Sequence, residues 1–130
     1  MLADSNILIY AIQPNYAGLR RWLLAELPAV SVITRVEVLG YHQLRQEEAA
    51  ALHALFNALE ILYPNYATFE HAIALRQQRK ISLGDALIAA TALEHGLRLA
   101  THNTADFQDI DGLAVFDPLS STIHPTEQTP

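Results

Sequence analysis

Short apolar runs alternate along the chain with longer segments whose apolar residues recur at helical spacing, and this alternation most narrows the possible folds. Runs of this length are typical of buried strands, and the longer segments are typical of helices. Strands alternating with helices favour a parallel sheet that is covered by helices on both faces. The predicted strands are 1–4, 30–33, 60–63, 97–101 and 113–116, and the predicted helices are 15–27, 34–41, 47–59, 67–79 and 83–95.

A length of 130 residues suits one domain, and a hydrophobic content of 51% suits a packed core. We predict one folded domain over 1–119 and a polar, proline-containing tail, 120–130, that we expect to be disordered. The absence of cysteine excludes disulfides, thiolate metal sites and a cysteine nucleophile. The apolar runs are too short to cross a membrane, and no signal peptide is recognisable, so we expect a cytoplasmic protein.

The formal net charge of −6 argues against a nucleic-acid partner, because phosphate contacts normally need a basic surface. This objection weakens where several of the acids form one site that holds a divalent cation. A bound cation would reverse the electrostatic field at the point where a phosphate group would lie.

Four acidic residues lie just past the predicted strands or in the first turn of the predicted helices. In a parallel sheet these positions share the carboxyl edge, where ligands bind. Taken singly, each acid is also explained by a turn, a helix cap or a solvated loop. Their joint placement is stronger evidence for a site than any one of them. The four residues are Asp4, Glu37, Asp85 and Asp106.

Four carboxylates at one place would repel each other, so one or more would keep a proton unless a cation lay between them. Oxygen ligands without a cysteine or a histidine pair select a hard ion, which favours Mg²⁺ or Mn²⁺ over Zn²⁺. An ion held in this way suits the hydrolysis of a phosphodiester. Neither a glycine-rich phosphate loop nor a G-x-S-x-G elbow occurs, so nucleotide-driven and serine-hydrolase functions lose their usual support.

Four sequence segments are more specific evidence of function than the single acids. They are DSN at 4–6, TRVE at 34–37, LGDALIAATA at 83–92 and LATHNTADF at 99–107. In order and spacing they resemble the PIN-domain ribonucleases, and specifically the VapC-type toxins of bacterial and archaeal toxin–antitoxin pairs. The resemblance implies a three-layer α/β/α sandwich with a mostly parallel central sheet. It also implies metal-dependent endoribonuclease activity and inhibition by a small antitoxin protein.

Carried over residue by residue, the resemblance implies two groups of site residues. The first group binds Mg²⁺ or Mn²⁺ and activates water, and the second supports the first. We therefore expect an RNA substrate, a small antitoxin and a homodimer, and no membrane partner. The two groups are Asp4, Glu37, Asp85 and Asp106, and then Ser5, Asn6 and Asn103.

One further residue and two alternatives stay open. His102 stands where the family commonly has a basic residue, and a protonated histidine would partly replace it. A catalytically silent PIN scaffold would bind protein or RNA without cutting it, although the complete acidic set argues against this. A signalling receiver domain would need a phospho-acceptor aspartate after the third strand, where Tyr63, Pro64 and Asn65 stand instead.

Overall fold

The five predicted strands are all present and form one parallel sheet in the computed structural model, which describes residues 1–121. Each strand is only two or three residues long, shorter than the apolar runs that predict it. The strands are Leu2–Ala3 (β1), Ala29–Ser31 (β2), Ile61–Leu62 (β3), Leu99–Ala100 (β4) and Val115–Phe116 (β5). Their order is β3-β2-β1-β4-β5, and every neighbouring pair is parallel.

Helices connect these strands throughout the described residues. Two short 3₁₀ helices, Pro14–Tyr16 and Thr104–Phe107, precede α2 and follow β4 respectively. The α-helices are Ser5–Ala11 (α1), Ala17–Glu26 (α2), Val32–Leu39 (α3), Gln46–Ala58 (α4), Tyr66–Gln78 (α5), Leu83–His95 (α6) and Pro118–Ser121 (α7).

Successive residues of the central strands belong to cores on opposite faces of the sheet, as the two-residue period of a strand requires. Leu2 and Ala29 pack with residues of α5 and α6 on one face. Ala3 and Val30 pack with residues of α1, α2 and α4 on the other. The predicted α/β/α sandwich is therefore confirmed.

Two helices begin directly at a residue that caps them where a strand ends, and the sequence pattern places neither start correctly. The carboxylate of Asp4 accepts a hydrogen bond from Ser5 N–H at 2.7 Å and opens α1, a helix that was not predicted. Ser31 Oγ accepts from Ile33 N–H at 3.0 Å and opens α3. Thr34 lies inside α3, so the predicted start of this helix at residue 34 is two residues too late.

The bounds predicted for α6 are confirmed at both ends. Ser82 Oγ accepts a hydrogen bond from Asp85 N–H at 3.1 Å, which satisfies one free donor of the first turn. Gly96 ends the helix with φ +62°, a conformation that glycine adopts at little cost. The residues 86–92 between these ends are all buried, so the helix is apolar on every side.

The carboxyl-terminal segment is described only in part. Ser120 and Ser121, the first two residues of the predicted tail, belong to α7. The remainder of that predicted tail, 122–130, lies outside the described residues. Over residues 1–121, no helix combines the length and the apolar character needed to cross a membrane.

Candidate active site

The order of the strands creates a switch point at the centre of the sheet. From β1 the chain proceeds to β2 and β3 on one side, and it then crosses to β4 and β5 on the other. Asp4 and Thr101 directly follow the two adjacent central strands, and Asp4 N–H donates to the Ala100 carbonyl at 2.9 Å. Ligands of parallel α/β sheets bind at such a position, so β1 and β4 place Asp4 and Thr101 at the expected site.

Hydrogen bonds hold the Asp4 carboxylate on both of its oxygens. Oδ1 accepts from Ser5 N–H, and Oδ2 accepts from Thr101 Oγ1 at 2.8 Å. Thr101 Oγ1 in turn accepts from Asn103 N–H at 3.0 Å and from Asn6 Nδ2 at 3.3 Å. One threonine hydroxyl thereby ties β1, α1 and the loop after β4 together around this acid.

The first turns of α1 and α6 bring two further groups against Glu37, which projects from α3. Ser5 Oγ donates to Glu37 Oε1 at 2.7 Å. The other oxygen of Glu37 lies against the Cα of Gly84, which has no side chain to block it. Asp85 follows Gly84 and is half-buried, so the acids of α3 and α6 meet at the end of β1.

Three of the four predicted acids line one open pocket of about 270 Å³, together with all three predicted supporting residues. The fourth, Asp106, is not among the residues that line this pocket; it lies in the 3₁₀ helix after β4, and its charge acts on Asp85. The sequence pattern therefore selects residues that the fold does bring together. The pocket-lining residues among them are Asp4, Glu37, Asp85, Ser5, Asn6 and Asn103.

Burial and mutual repulsion act on the two least exposed acids. Burial raises the pKa of Asp4 to about 6, and the charges of Asp85 and Glu37 add to this, against the hydrogen bonds from Thr101 and Ser5. Burial also raises the pKa of Asp85, with further contributions from the charges of Asp106 and Glu37. The site thus holds carboxylates whose ionised forms lack a compensating positive charge.

Carboxylate oxygens are suitable ligands for a hard divalent cation, but the acidic side chains as placed do not surround one common position. Within residues 1–121, no three acidic or histidine side chains stand close enough together to form a ligand set as they are placed. A pocket of about 270 Å³ has room for an ion with several of its waters, since a water takes about 30 Å³. Mg²⁺ commonly keeps several waters and uses one or two carboxylates, so these residues suit that mode of binding.

Thr101 is a site residue that the sequence interpretation missed. It is fully buried and makes three hydrogen bonds at the centre of the site. A threonine at the end of a strand is ordinary in a sheet, so its residue type carries no signal. Its position directly after a strand at the predicted carboxyl edge was the available indication.

We expect Gly84→Ala to reduce activity at this site while leaving the stability of the fold nearly unchanged. The added Cβ would collide with Glu37 Oε2, the mobile end of a side chain, which would swing away. A displacement of about 1 Å in a reacting geometry costs on the order of 10²-fold in rate. Steady-state kinetics and thermal unfolding of Gly84→Ala should be compared with those of Leu83→Ala, which truncates the exposed neighbour. Unchanged kinetics in Gly84→Ala would show that Glu37 has no role.

Comparisons with known proteins agree with this fold. The family model described as the PIN domain matches residues 1–113. The chain is 29% identical to Ribonuclease VapC1 of Rickettsia felis over 88% of this chain and 93% of that protein. It is 27% identical to the tRNA(fMet)-specific endonuclease VapC of Shigella flexneri over 89% and 96% of the two chains. A toxin–antitoxin complex from Klebsiella pneumoniae contains a chain that matches with a TM-score of 0.71 and 33% identity, over 90% of this chain and 96% of that one.

Proposed function

The chain belongs to the PIN-domain family, and from this premise we propose that it is a metal-dependent endoribonuclease, the toxin of a toxin–antitoxin pair. The relatives named as a ribonuclease and an endonuclease, which match over most of their length, support the nuclease activity. The observation that carries the proposal is the pocket at the switch point of the sheet, where Asp4, Glu37 and Asp85 converge and Asp106 adds its charge.

We assign the roles of the acids from their burial and hydrogen bonds. A bound divalent ion would supply a polarised water and charge stabilisation at the phosphate. Asp4 and Asp85 would hold that ion, since their ionised forms most lack a positive charge. Asp106, whose charge acts on Asp85, would complete the set. Mg²⁺ and Mn²⁺ are the ions of choice, because all four groups are hard oxygen donors.

Glu37 has a different role in this proposal, since it is exposed and its carboxylate is held on one oxygen only. Ser5 orients Oε1, so that Oε2 would accept a proton from the attacking water. The water oxygen forms a bond to phosphorus while the bond from phosphorus to the leaving ester oxygen breaks. Asn103 lines the pocket and would contact the substrate or its waters, while Asn6, whose amide is hydrogen-bonded to Thr101 and to the backbone of His102, supports the site.

Metal-dependent cleavage of RNA tests this proposal. The purified protein should cut a mixed RNA substrate in Mg²⁺ or Mn²⁺, and EDTA should stop the reaction. Gel analysis of end-labelled RNA would show internal cuts if the activity is endonucleolytic. RNA binding without any cleavage in either ion would instead support the catalytically silent scaffold.

The proposed antitoxin partner fits an apolar groove that adjoins the carboxylate pocket. The groove has a volume of about 290 Å³, and Ile9, Glu37 and Val38 line both it and the carboxylate pocket. Its wall is mostly apolar, and Glu37 adds negative charge, whereas Glu48 is paired with Arg45 at 3.1 Å. We infer that a peptide with apolar side chains and a basic residue binds here. Its basic side chain would then lie beside the acids of the active site.

We expect Tyr41→Lys to weaken this partner's binding without unfolding the protein. Tyr41 lines the groove and is 52% exposed, so its replacement does not disturb the core. A buried aromatic anchor is worth about 2 kcal/mol at an interface, which corresponds to roughly a 30-fold loss in affinity. Calorimetry with the protein encoded beside this chain would measure the change. Tyr63→Lys is the control, because Tyr63 is an exposed tyrosine (68%) that does not line the groove. Equal effects of the two variants would place the partner elsewhere.

A further inference from the structure

The imidazole of His102, which lies between two site residues in sequence, has no role in the proposed reaction. His102 lies between Thr101, which holds Asp4, and Asn103, which lines the pocket. Its backbone N–H donates to Asn6 Oδ1 at 3.2 Å, and Asn6 also lines the pocket. The side chain of His102 is 42% exposed. The ring is thus open to a ligand that extends from the carboxylate pocket over the loop after β4.

Two contacts hold the ring in place. Nδ1 of His102 lies 2.9 Å from Asp117 Oδ2, and the side chain of Asp117 is only 13% exposed. The other oxygen of Asp117 accepts from Leu119 N–H at 2.9 Å, at the start of α7. Tyr10 meets the ring edge-on, with centroids 5.3 Å apart and an angle of 86° between the planes. The imidazole is thus oriented before any ligand arrives.

The contact with Asp117 decides which nitrogen of His102 carries the proton. A carboxylate oxygen only accepts hydrogen bonds, so the proton of the neutral ring lies on Nδ1. Nε2 is then left with a lone pair and acts as an acceptor. None of the hydrogen bonds within residues 1–120 uses Nε2. An oriented acceptor at this position can take a hydrogen bond from a donor on a bound ligand.

We propose that Nε2 of His102 accepts a hydrogen bond from a ribose 2′-hydroxyl of the nucleotide beside the scissile phosphate. The inference rests on the proposed function, since it assumes that RNA lies across the carboxylate pocket. Phosphate oxygens are acceptors and do not match a lone pair, whereas the 2′-hydroxyl is a donor that every ribonucleotide carries and DNA lacks. His102 is then a substrate-binding residue that selects RNA over DNA, and Asp117 is its positioning residue.

A series of RNA oligonucleotides with single 2′-deoxy substitutions tests the contact. One substitution next to the cut should lower kcat/KM of the wild-type protein about three- to tenfold, the worth of one hydrogen bond. In His102→Phe, which keeps a ring against Tyr10 but has no nitrogen, the same substitution should have no further effect. His95→Gln is the matched control, because His95 lies at the opposite end of α6, about 15 Å from Asp85. We call the loss caused by this 2′-deoxy substitution the deoxy penalty. A deoxy penalty of equal size in His102→Phe and in the wild type would overturn the inference.

Dissociation constants of the same oligonucleotides separate this inference from the proposed function. If the protein binds RNA but does not cut it, the nuclease proposal fails, and the deoxy penalty on binding still tests His102. If the wild-type protein binds no RNA, the inference fails with it. Equal losses of RNA and DNA binding in His102→Phe would also overturn it, because they would indicate a contact to phosphate.

Asp117→Asn tests the positioning role by a measurement other than activity. Asparagine would keep the cap on Leu119 N–H, but its amide would donate to Nδ1 and move the proton to Nε2. We expect ¹⁵N NMR to show the proton of the neutral ring on Nδ1 in the wild type and on Nε2 in Asp117→Asn. His102→Gln, whose amide oxygen can replace Nε2, should restore part of the deoxy penalty. A proton on Nε2 in the wild type would contradict the proposed acceptor.

Discussion

Asp85→Asn is expected to lower kcat/KM for RNA cleavage about 10³-fold, because a divalent ion supplies several kcal/mol of charge stabilisation and each 1.4 kcal/mol is tenfold. Asparagine keeps the size of the side chain and leaves the cap from Ser82 to the backbone of residue 85 in place. Burial and the charges of Asp106 and Glu37 already raise the pKa of Asp85. Removing its charge should therefore maintain or slightly raise the stability of the metal-free protein.

Asp111→Asn is the matched control for this experiment, since Asp111 is an exposed aspartate that does not line the carboxylate pocket. Its cleavage rate should stay within a factor of about two of the wild type, as expected for a surface substitution away from the site. Initial rates over a range of Mg²⁺ concentrations would show whether Asp85→Asn also weakens the dependence on the metal. Equal rates for Asp85→Asn and wild type would remove Asp85 from the site.

The metal-free protein is expected to lose about 3 kcal/mol of stability through Asp4 as the pH rises from below 4 to 7. Burial raises the pKa of this carboxyl from 3.8 to about 6 in the folded state. The folded state therefore binds the proton more tightly than the unfolded state does. The stabilising contribution is complete below pH 3.8 and is lost as the pH rises through 6. Asp4 is only 5% exposed, so solvent screens little of this effect.

Urea unfolding in EDTA at several pH values measures this dependence. The difference in unfolding free energy between wild type and Asp4→Asn should change by about 3 kcal/mol across the window, in favour of the variant at pH 7. Addition of Mg²⁺ at pH 7 should stabilise the wild type and have a much smaller effect on Asp4→Asn. A constant difference between the two proteins at all pH values would show that Asp4 is not desolvated.

The layers of the fold are predictable from sequence, because the helix caps and the periodicity of the strands agree with the alternation of strands and helices along the chain. Helix α6 has a serine cap, a terminal glycine and an apolar sequence between them, so both its ends are predictable from sequence. The period of two in the short strands places Leu2 and Ala3 on opposite faces, as the structure has them. The alternation of strand and helix then leaves a parallel sheet as the simplest arrangement.

The helix starts at the active site were less predictable, because one residue serves two purposes there. Asp4 is both a site acid and the cap of α1, and a polar DSN segment resembles a turn. The β-branched residues Val32 and Ile33 favour a strand by composition, yet the cap from Ser31 starts α3 there. The role of Thr101 rests on a hydrogen bond to Asp4 that spans 97 residues of sequence. Such contacts depend on tertiary packing, which local pattern does not encode.

The distance in sequence between Asp4 and Thr101 has a consequence for synthesis of the protein on the ribosome. The first acid emerges early, but its partner in the 2.8 Å hydrogen bond follows 97 residues later. Strand β1 also needs β4 beside it before its carboxyl end is in place. A nascent or prematurely terminated polypeptide therefore has no assembled cleavage centre. Almost the whole domain must therefore be translated before the proposed nuclease site can form.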